Sequence, residues 1–197
     1  DAKSGQSLKT LEGHSGYVES VCWSPDGKYL ASGASDYTVI IWDAKSGQKL
    51  KTLKGHTSYV ESVSWSPDGR YLASGSWNST VIIWDAKSGQ SLKTLEGHSG
   101  YVYSVSWSPD GKYLASGAWD RTVIIWDAKS GQRLKTLKGH SDQVLSVCWS
   151  PDGKYLASGS YDDTVKIWGE KSESRNSESS SSSSGGSSSG VSSGGSG

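Results

Sequence analysis

The chain has 197 residues, with twenty basic and twenty acidic side chains and a formal net charge of zero at pH 7, so no whole-molecule field draws it to nucleic acid or to an anionic membrane. It holds ten Trp, ten Tyr and 25 Gly but no Phe or Met. No run reaches the roughly 18 to 20 apolar residues of a membrane helix, and DAKSGQ at the start has neither the basic beginning nor the apolar centre of a signal peptide.

These features predict a soluble, cytoplasmic protein, and the start at Asp1 without Met reads as a processed or excised product. Residues 6–12 place Leu8 and Leu11 among polar neighbours, which predicts a short outer strand with one partly covered face. Gly13 and His14 make a turn. VESVCW, from Val18 to Trp23, predicts a strand sheltered on both sides, stopped by Ser24-Pro25-Asp26-Gly27, where Pro sets φ and Gly is free to take φ > 0. Lys28 to Ala34 is the next predicted strand, and its small Ala31, Ser32 and Gly33 let a neighbouring backbone come close. Ser35-Asp36 makes a tight turn, Thr38 to Trp42 is the last strand, and Asp43 to Gly47 is a polar loop leading back to an outer strand.

The stretch from Gly13 to Trp42 returns from Gly55 to Trp84, from Gly97 to Trp126 and from Gly139 to Trp168. The chain is one 42-residue unit written four times, over 1–42, 43–84, 85–126 and 127–168. A period of this length means stacked units sharing a core, not four independent domains. Four short strands per unit with turns every 8 to 12 residues make an all-β antiparallel array. Residues 169–197 are almost all Ser and Gly; such a segment buries too little apolar surface to offset its ordering entropy, and it is expected to be a disordered tail or linker, with phosphorylation control as the other reading.

The Gly-His pairs, the VxSVxWSPDGxYLASG run and the Trp-Asp pairs Trp42-Asp43, Trp84-Asp85 and Trp126-Asp127 resemble the WD-repeat family of β-propellers over residues 1–168. The last unit departs with Trp168-Gly169. The resemblance implies four four-stranded blades per chain. It also implies a hydrogen-bonded network inside each blade, in which the tight-turn Asp holds the His, the His meets a strand Ser and the Ser meets the indole. The sets are His14, Ser32, Asp36 and Trp42; His56, Ser74, Asn78 and Trp84; His98, Ser116, Asp120 and Trp126; and His140, Ser158, Asp162 and Trp168. A Ser-His-Asp set also resembles a hydrolase triad, but a triad needs an exposed Ser, an oxyanion hole and a cleft, and one copy would suffice. Fourfold repetition favours the structural role and a protein that is not an enzyme. Asn78, where the other units carry Asp, keeps an acceptor and lacks the charge.

The four copies differ mainly at two places. After the Gly-His turn stand Tyr17 and Glu19, Tyr59 and Glu61, Tyr101 and Tyr103, then Gln143 and Leu145; at the tight turn stand Ser35 and Tyr37, Trp77 and Ser79, Trp119 and Arg121, then Tyr161 and Asp163. By the resemblance both turns open on the face that family members use for partners. Its Tyr and Trp suit a binding surface for a protein or peptide; the other reading is positions that merely tolerate change. Cys22 and Cys148 occupy one equivalent position in the first and last units and read as small, half-buried strand residues. A disulfide or metal role is the alternative, and without a CxxC spacing they specify no zinc site. No cofactor is implied.

Four blades in a closed ring would each turn through a right angle, and the modest Val, Ile, Ala and Ser side chains suit the shallower angle of eight blades. The expectation is a homodimer closing one eight-bladed ring, the first strand of one chain pairing with the last blade of the other; a four-bladed monomer is the alternative. The functional expectation is a non-enzymatic scaffold. The second reading is a designed or recently amplified repeat protein with no native ligand, acting only as a self-assembling scaffold.

Overall fold

The computed structural model describes residues 1–171, and the Ser/Gly tail lies outside the described residues from 172 onward. Among the described residues fifteen strands form four antiparallel meanders. The first sheet holds β1 (Val18–Trp23), β2 (Tyr29–Ala34), β3 (Thr38–Asp43) and β4 (Lys49–Lys54); the second holds β5 (Val60–Trp65), β6 (Tyr71–Ser76), β7 (Thr80–Asp85) and β8 (Ser91–Glu96). The third holds β9 (Val102–Trp107), β10 (Tyr113–Ala118), β11 (Val123–Asp127) and β12 (Arg133–Leu137); the fourth has three strands, β13 (Val144–Trp149), β14 (Leu156–Ser160) and β15 (Val165–Trp168). Each of the first three sheets therefore takes three strands from one sequence unit and its fourth from the start of the next, and the fourth sheet lies within the last unit.

Turn chemistry sets these boundaries. In the first PDG turn Asp26 accepts hydrogen bonds from Ser24 Oγ at 2.7 Å and from the Lys28 amide at 2.9 Å, while Gly27 takes φ 71°. The Asp of each Trp-Asp pair closes the following loop: Asp43 accepts from the amide of Ser46 at 2.7 Å, and Gly47 takes φ 76°.

The core lies between the sheets. Ala31, Val39, Ile41 and Leu53 of the first sheet pack on Val60, Val63, Trp65, Leu72, Ile82 and Trp84 of the second, and the second and third sheets repeat the pattern. A smaller cluster joins the third to the fourth. The small residues of the second strands are what permit this approach. A Cβ placed on Gly33, Gly75 or Gly117 would come within 2.6 to 2.7 Å of Val60, Val102 or Val144. Polar ties reinforce each junction: the Val63 amide donates to Ser20 Oγ at 3.1 Å, and Trp65 Nε1 donates to the Cys22 carbonyl at 3.2 Å.

Two expectations are corrected at the ends of the stack. Residues 6–12 form no strand, because among the described residues no neighbouring strand is in place to complete a ladder. Strand β1 is not sheltered on both sides: Val18, Val21 and Trp23 are 53%, 68% and 59% exposed, against 0%, 5% and 7% for the equivalent Val60, Val63 and Trp65. At the other end Val165 and Ile167 are 73% and 75% exposed. The described blades thus do not close on themselves as a four-bladed ring.

Candidate interaction face and the hydrogen-bond network beneath it

Three of the four polar sets have one geometry. In the first, His14 Nδ1 lies 2.9 Å from Asp36 Oδ2, His14 Nε2 lies 2.7 Å from Ser32 Oγ, and Trp42 Nε1 donates to Ser32 Oγ at 2.8 Å. The third and fourth sets repeat these contacts through His98, Asp120, Ser116 and Trp126, and through His140, Asp162, Ser158 and Trp168. One proton arrangement satisfies every group. The indole N–H donates to the serine oxygen, the serine O–H donates to Nε2, and Nδ1–H donates to the carboxylate. The serines are buried in the second strands, and each hydroxyl is engaged in the network.

Four threonines complete the sets without having been singled out by sequence reading: Thr38, Thr80, Thr122 and Thr164 donate from their hydroxyls to the residue two positions before, at 2.6 to 2.7 Å. Their presence in all four units was the available signal. Burial raises the pKa of Asp36, but the Thr38 hydroxyl, the His14 ring and the amides of Ser15 and Thr38 outweigh it and bring the carboxyl to about 2. Asp120 is likewise raised by burial, and His98, Thr122 and the Ser99 amide bring it to about 2. Asp162 is depressed further, chiefly by Thr164.

The second set is broken. His56 Nε2 still meets Ser74 Oγ at 2.7 Å and Trp84 Nε1 still donates to that oxygen. Asn78, however, accepts from the Thr80 hydroxyl through Oδ1 and donates to Thr57 Oγ1 through Nδ2, and buried His56 Nδ1 has no partner. Burial lowers the pKa of His56 to about 4; the nearby Asn78 and Ser74 offset this only in part.

Above the network, the two variable turns of each blade are joined through their backbones. The amides of Ser35, Trp77, Trp119 and Tyr161 donate to the carbonyls of Tyr17, Tyr59, Tyr101 and Gln143 at 2.8 to 3.0 Å. This pairing places the variable residues side by side. Across blades the rings form a ladder: Tyr37 to Tyr59 at 6.2 Å between centroids, Tyr59 to Trp77 at 4.6 Å, Trp77 to Tyr101 at 4.7 Å and Tyr101 to Tyr103 at 6.5 Å. Tyr103 Oη then donates to Gln143 Oε1 at 2.9 Å, extending the line to the fourth blade. Glu61 lies beside this ladder with its pKa raised, first by burial and then by the charge of Glu19.

The remaining predicted positions stand outside the ladder. Tyr17, Trp119 and Tyr161 are exposed, as are Glu19, Arg121 and Asp163, while Ser35, Ser79 and Leu145 are half-buried. Ser35 Oγ accepts from the Tyr17 amide at 2.7 Å. Backbone conformation sets one column of this face apart in a way that residue type did not show. Tyr37, Ser79, Arg121 and Asp163 all have left-handed φ values, from 67° to 74°. On the opposite loops every left-handed residue is Gly, in all copies.

A cleft between the second and third sheets, lined by Pro67, Tyr71, Leu92, Trp107 and Lys129 among others, opens toward those opposite loops. Tyr71 stacks on Trp107 at its wall, and Tyr29 stacks likewise on Trp65 one junction earlier.

A family model described as the WDR19 first beta-propeller matches residues 19–185. The chain belongs to the WD-repeat β-propeller family. Similar proteins include Nuclear distribution protein PAC1 of Arthroderma benhamiae, 46% identical over 43 residues, which are 22% of this chain and 9% of that protein. Small ribosomal subunit protein RACK1 of Medicago sativa is 56% identical over 34 residues, 17% of this chain and 10% of that protein. General transcriptional corepressor TUP1 of Saccharomyces cerevisiae is 50% identical over 44 residues, 21% of this chain and 6% of that protein. The matched stretches cover about one WD repeat each and a tenth or less of these relatives. The His-Ser-Trp sets link the turn before a blade's first strand to its second and third strands, and Tyr17, Tyr37, Tyr101, Trp119 and Tyr161 are exposed at the two turns where the copies diverge. Among the described residues no helix is long and apolar enough to cross a membrane.

Proposed function

We propose that this WD-repeat chain is a non-enzymatic scaffold that binds a protein or peptide on the face bearing Tyr17, Tyr37, Trp77, Tyr101, Trp119, Arg121 and Tyr161, within an eight-bladed ring of two chains. The observation that carries the reading is the left-handed column. A non-glycine residue there costs about 1 to 2 kcal/mol over Gly, yet Tyr, Ser, Arg and Asp occupy it in turn, while the left-handed positions of the opposite loops stay Gly. Side chains kept against backbone strain, and different in each copy, serve recognition better than folding. The aromatic ladder beside them supplies rigid contact area at low entropic cost.

The test is a peptide-array screen with the intact chain and with Trp119→Ala and Tyr37→Gly variants. Peptides captured by the parent and lost by both folded variants support the face as the site; capture that survives both substitutions refutes it. The near identity of the four units favours a second reading, a repeat scaffold without a native ligand, and an array with no captured peptide would favour it. Labelling of any serine by a fluorophosphonate probe would overturn the non-enzymatic assignment.

A further inference from the structure

The two open ends of the stack match each other as the internal junctions do. At the three junctions a second-strand glycine receives the first valine of the next inner strand: Gly33 receives Val60, Gly75 receives Val102 and Gly117 receives Val144. Gly159 is the fourth member of the series, and a Cβ placed on it would meet nothing within 4 Å. The valine left over is Val18, 53% exposed on the opposite end.

We infer that each end docks on the other end of a second copy of this chain, with Val18 of that copy seated on Gly159. The inference rests on the two-chain reading above and specifies its seam. Every polar tie of the internal junctions has its parts in place. The Val63, Val105 and Val147 amides donate to Ser20, Ser62 and Ser104, and the Trp65, Trp107 and Trp149 indoles donate to the carbonyls of Cys22, Ser64 and Ser106. By the same spacing the Val21 amide of the second copy reaches Ser146 Oγ, and its Trp23 indole reaches the Cys148 carbonyl.

The outer strand follows. Leu11 already leans on Gly47, the closest atom to a Cβ placed there at 3.0 Å, as Leu53 leans on Gly89 at 3.1 Å. Residues 6–12 are therefore held by their own first blade in the place an outer strand of a preceding blade occupies. Strand β4 pairs with β3 as Val39↔Leu53, Ile41↔Lys51 and Trp42↔Lys49. Transposed by the repeat, β15 of the second copy pairs Val165 with Leu11, Ile167 with Lys9 and Trp168 with Ser7, which turns its three-stranded sheet into four by strand addition. Two such seams cover both apolar ends of both copies.

Gly159 provides the test, because a side chain there has open space in the single chain and no room in the seam. Light scattering of the parent at micromolar concentration is expected to give about twice 20.9 kDa, with the exposed Cys148 thiol shielded from a disulfide reagent beneath Trp23 of the second copy. Gly159→Leu is expected to keep the circular dichroism of the parent, to weaken association by about a hundredfold through one overpacked contact at each of two seams, and to expose Cys148. A parent of twice the chain mass whose association is unmoved by Gly159→Leu and whose Cys148 stays reactive overturns the seam and leaves the two-chain reading standing. A parent of 20.9 kDa overturns both the seam and the two-chain reading.

Discussion

Asn78 stands in the position of the carboxylate that holds the network histidine in the other blades, and it leaves His56 Nδ1 buried and unpaired. Its amide faces the two neighbouring threonines instead, Thr80 at 2.7 Å and Thr57 at 3.3 Å. The ring loses a hydrogen bond while keeping the same burial, His56 being 7% exposed against 8% for His98.

Restoring the carboxylate should therefore stabilise the second blade. Asn78→Asp gives Nδ1 an acceptor and is expected to raise stability by about 1 to 2 kcal/mol. A urea midpoint at or below that of the parent would count against the network as a source of stability.

The same defect makes the second blade sensitive to mild acid. His56 has a folded pKa of about 4 against 6.5 for the free side chain, so between these values the unfolded chain binds more protons and stability falls as pH drops. The loss amounts to about 3 kcal/mol at most. Asp36 and Asp120, depressed from 3.8 to about 2, contribute stability present above pH 3.8 and lost as pH falls toward 2. Urea midpoints measured from pH 7 to 5 should decline in the parent and decline less in Asn78→Asp, where imidazolium gains a partner. Equal slopes would show that His56 does not govern this range.

Ser116 is the hub of the third network, accepting from Trp126 Nε1 and meeting His98 Nε2 while fully buried. Ser116→Ala leaves an indole N–H and an imidazole nitrogen without partners and should cost about 3 kcal/mol. Thermal unfolding shifted by only a degree or two would mean that water replaces the hydroxyl.

Arg121 holds φ 71° on the exposed face. Arg121→Gly relieves left-handed strain but adds freedom to the unfolded chain, and the balance should favour the variant by about 0.5 kcal/mol. A drop in melting temperature would show that Arg121 contributes a contact larger than its backbone strain.

The repeat, the all-β strand array and the turn residues were legible in the chain alone, because they depend on local chemistry, whereas the blade fold and the network sets, whose partners stand 10 to 22 residues apart, came from the resemblance to WD-repeat propellers. PDG and Asp-x-x-x-Gly close turns wherever they occur, and residues invariant across four copies are those every blade needs. Tertiary structure decided what depends on neighbours. Residues 6–12 have the composition of a strand and form none, since a strand exists only against a partner. VESVSW is buried at β5 and VESVCW is exposed at β1 although they differ at one residue, because burial comes from the adjoining sheet. The left-handed column, invisible in residue type, became visible only as backbone angles. The missing charge at Asn78 was legible in the sequence, but the unpartnered Nδ1 of His56 was not, because it depends on the contacts that the amide makes with Thr57 and Thr80 in the packed blade.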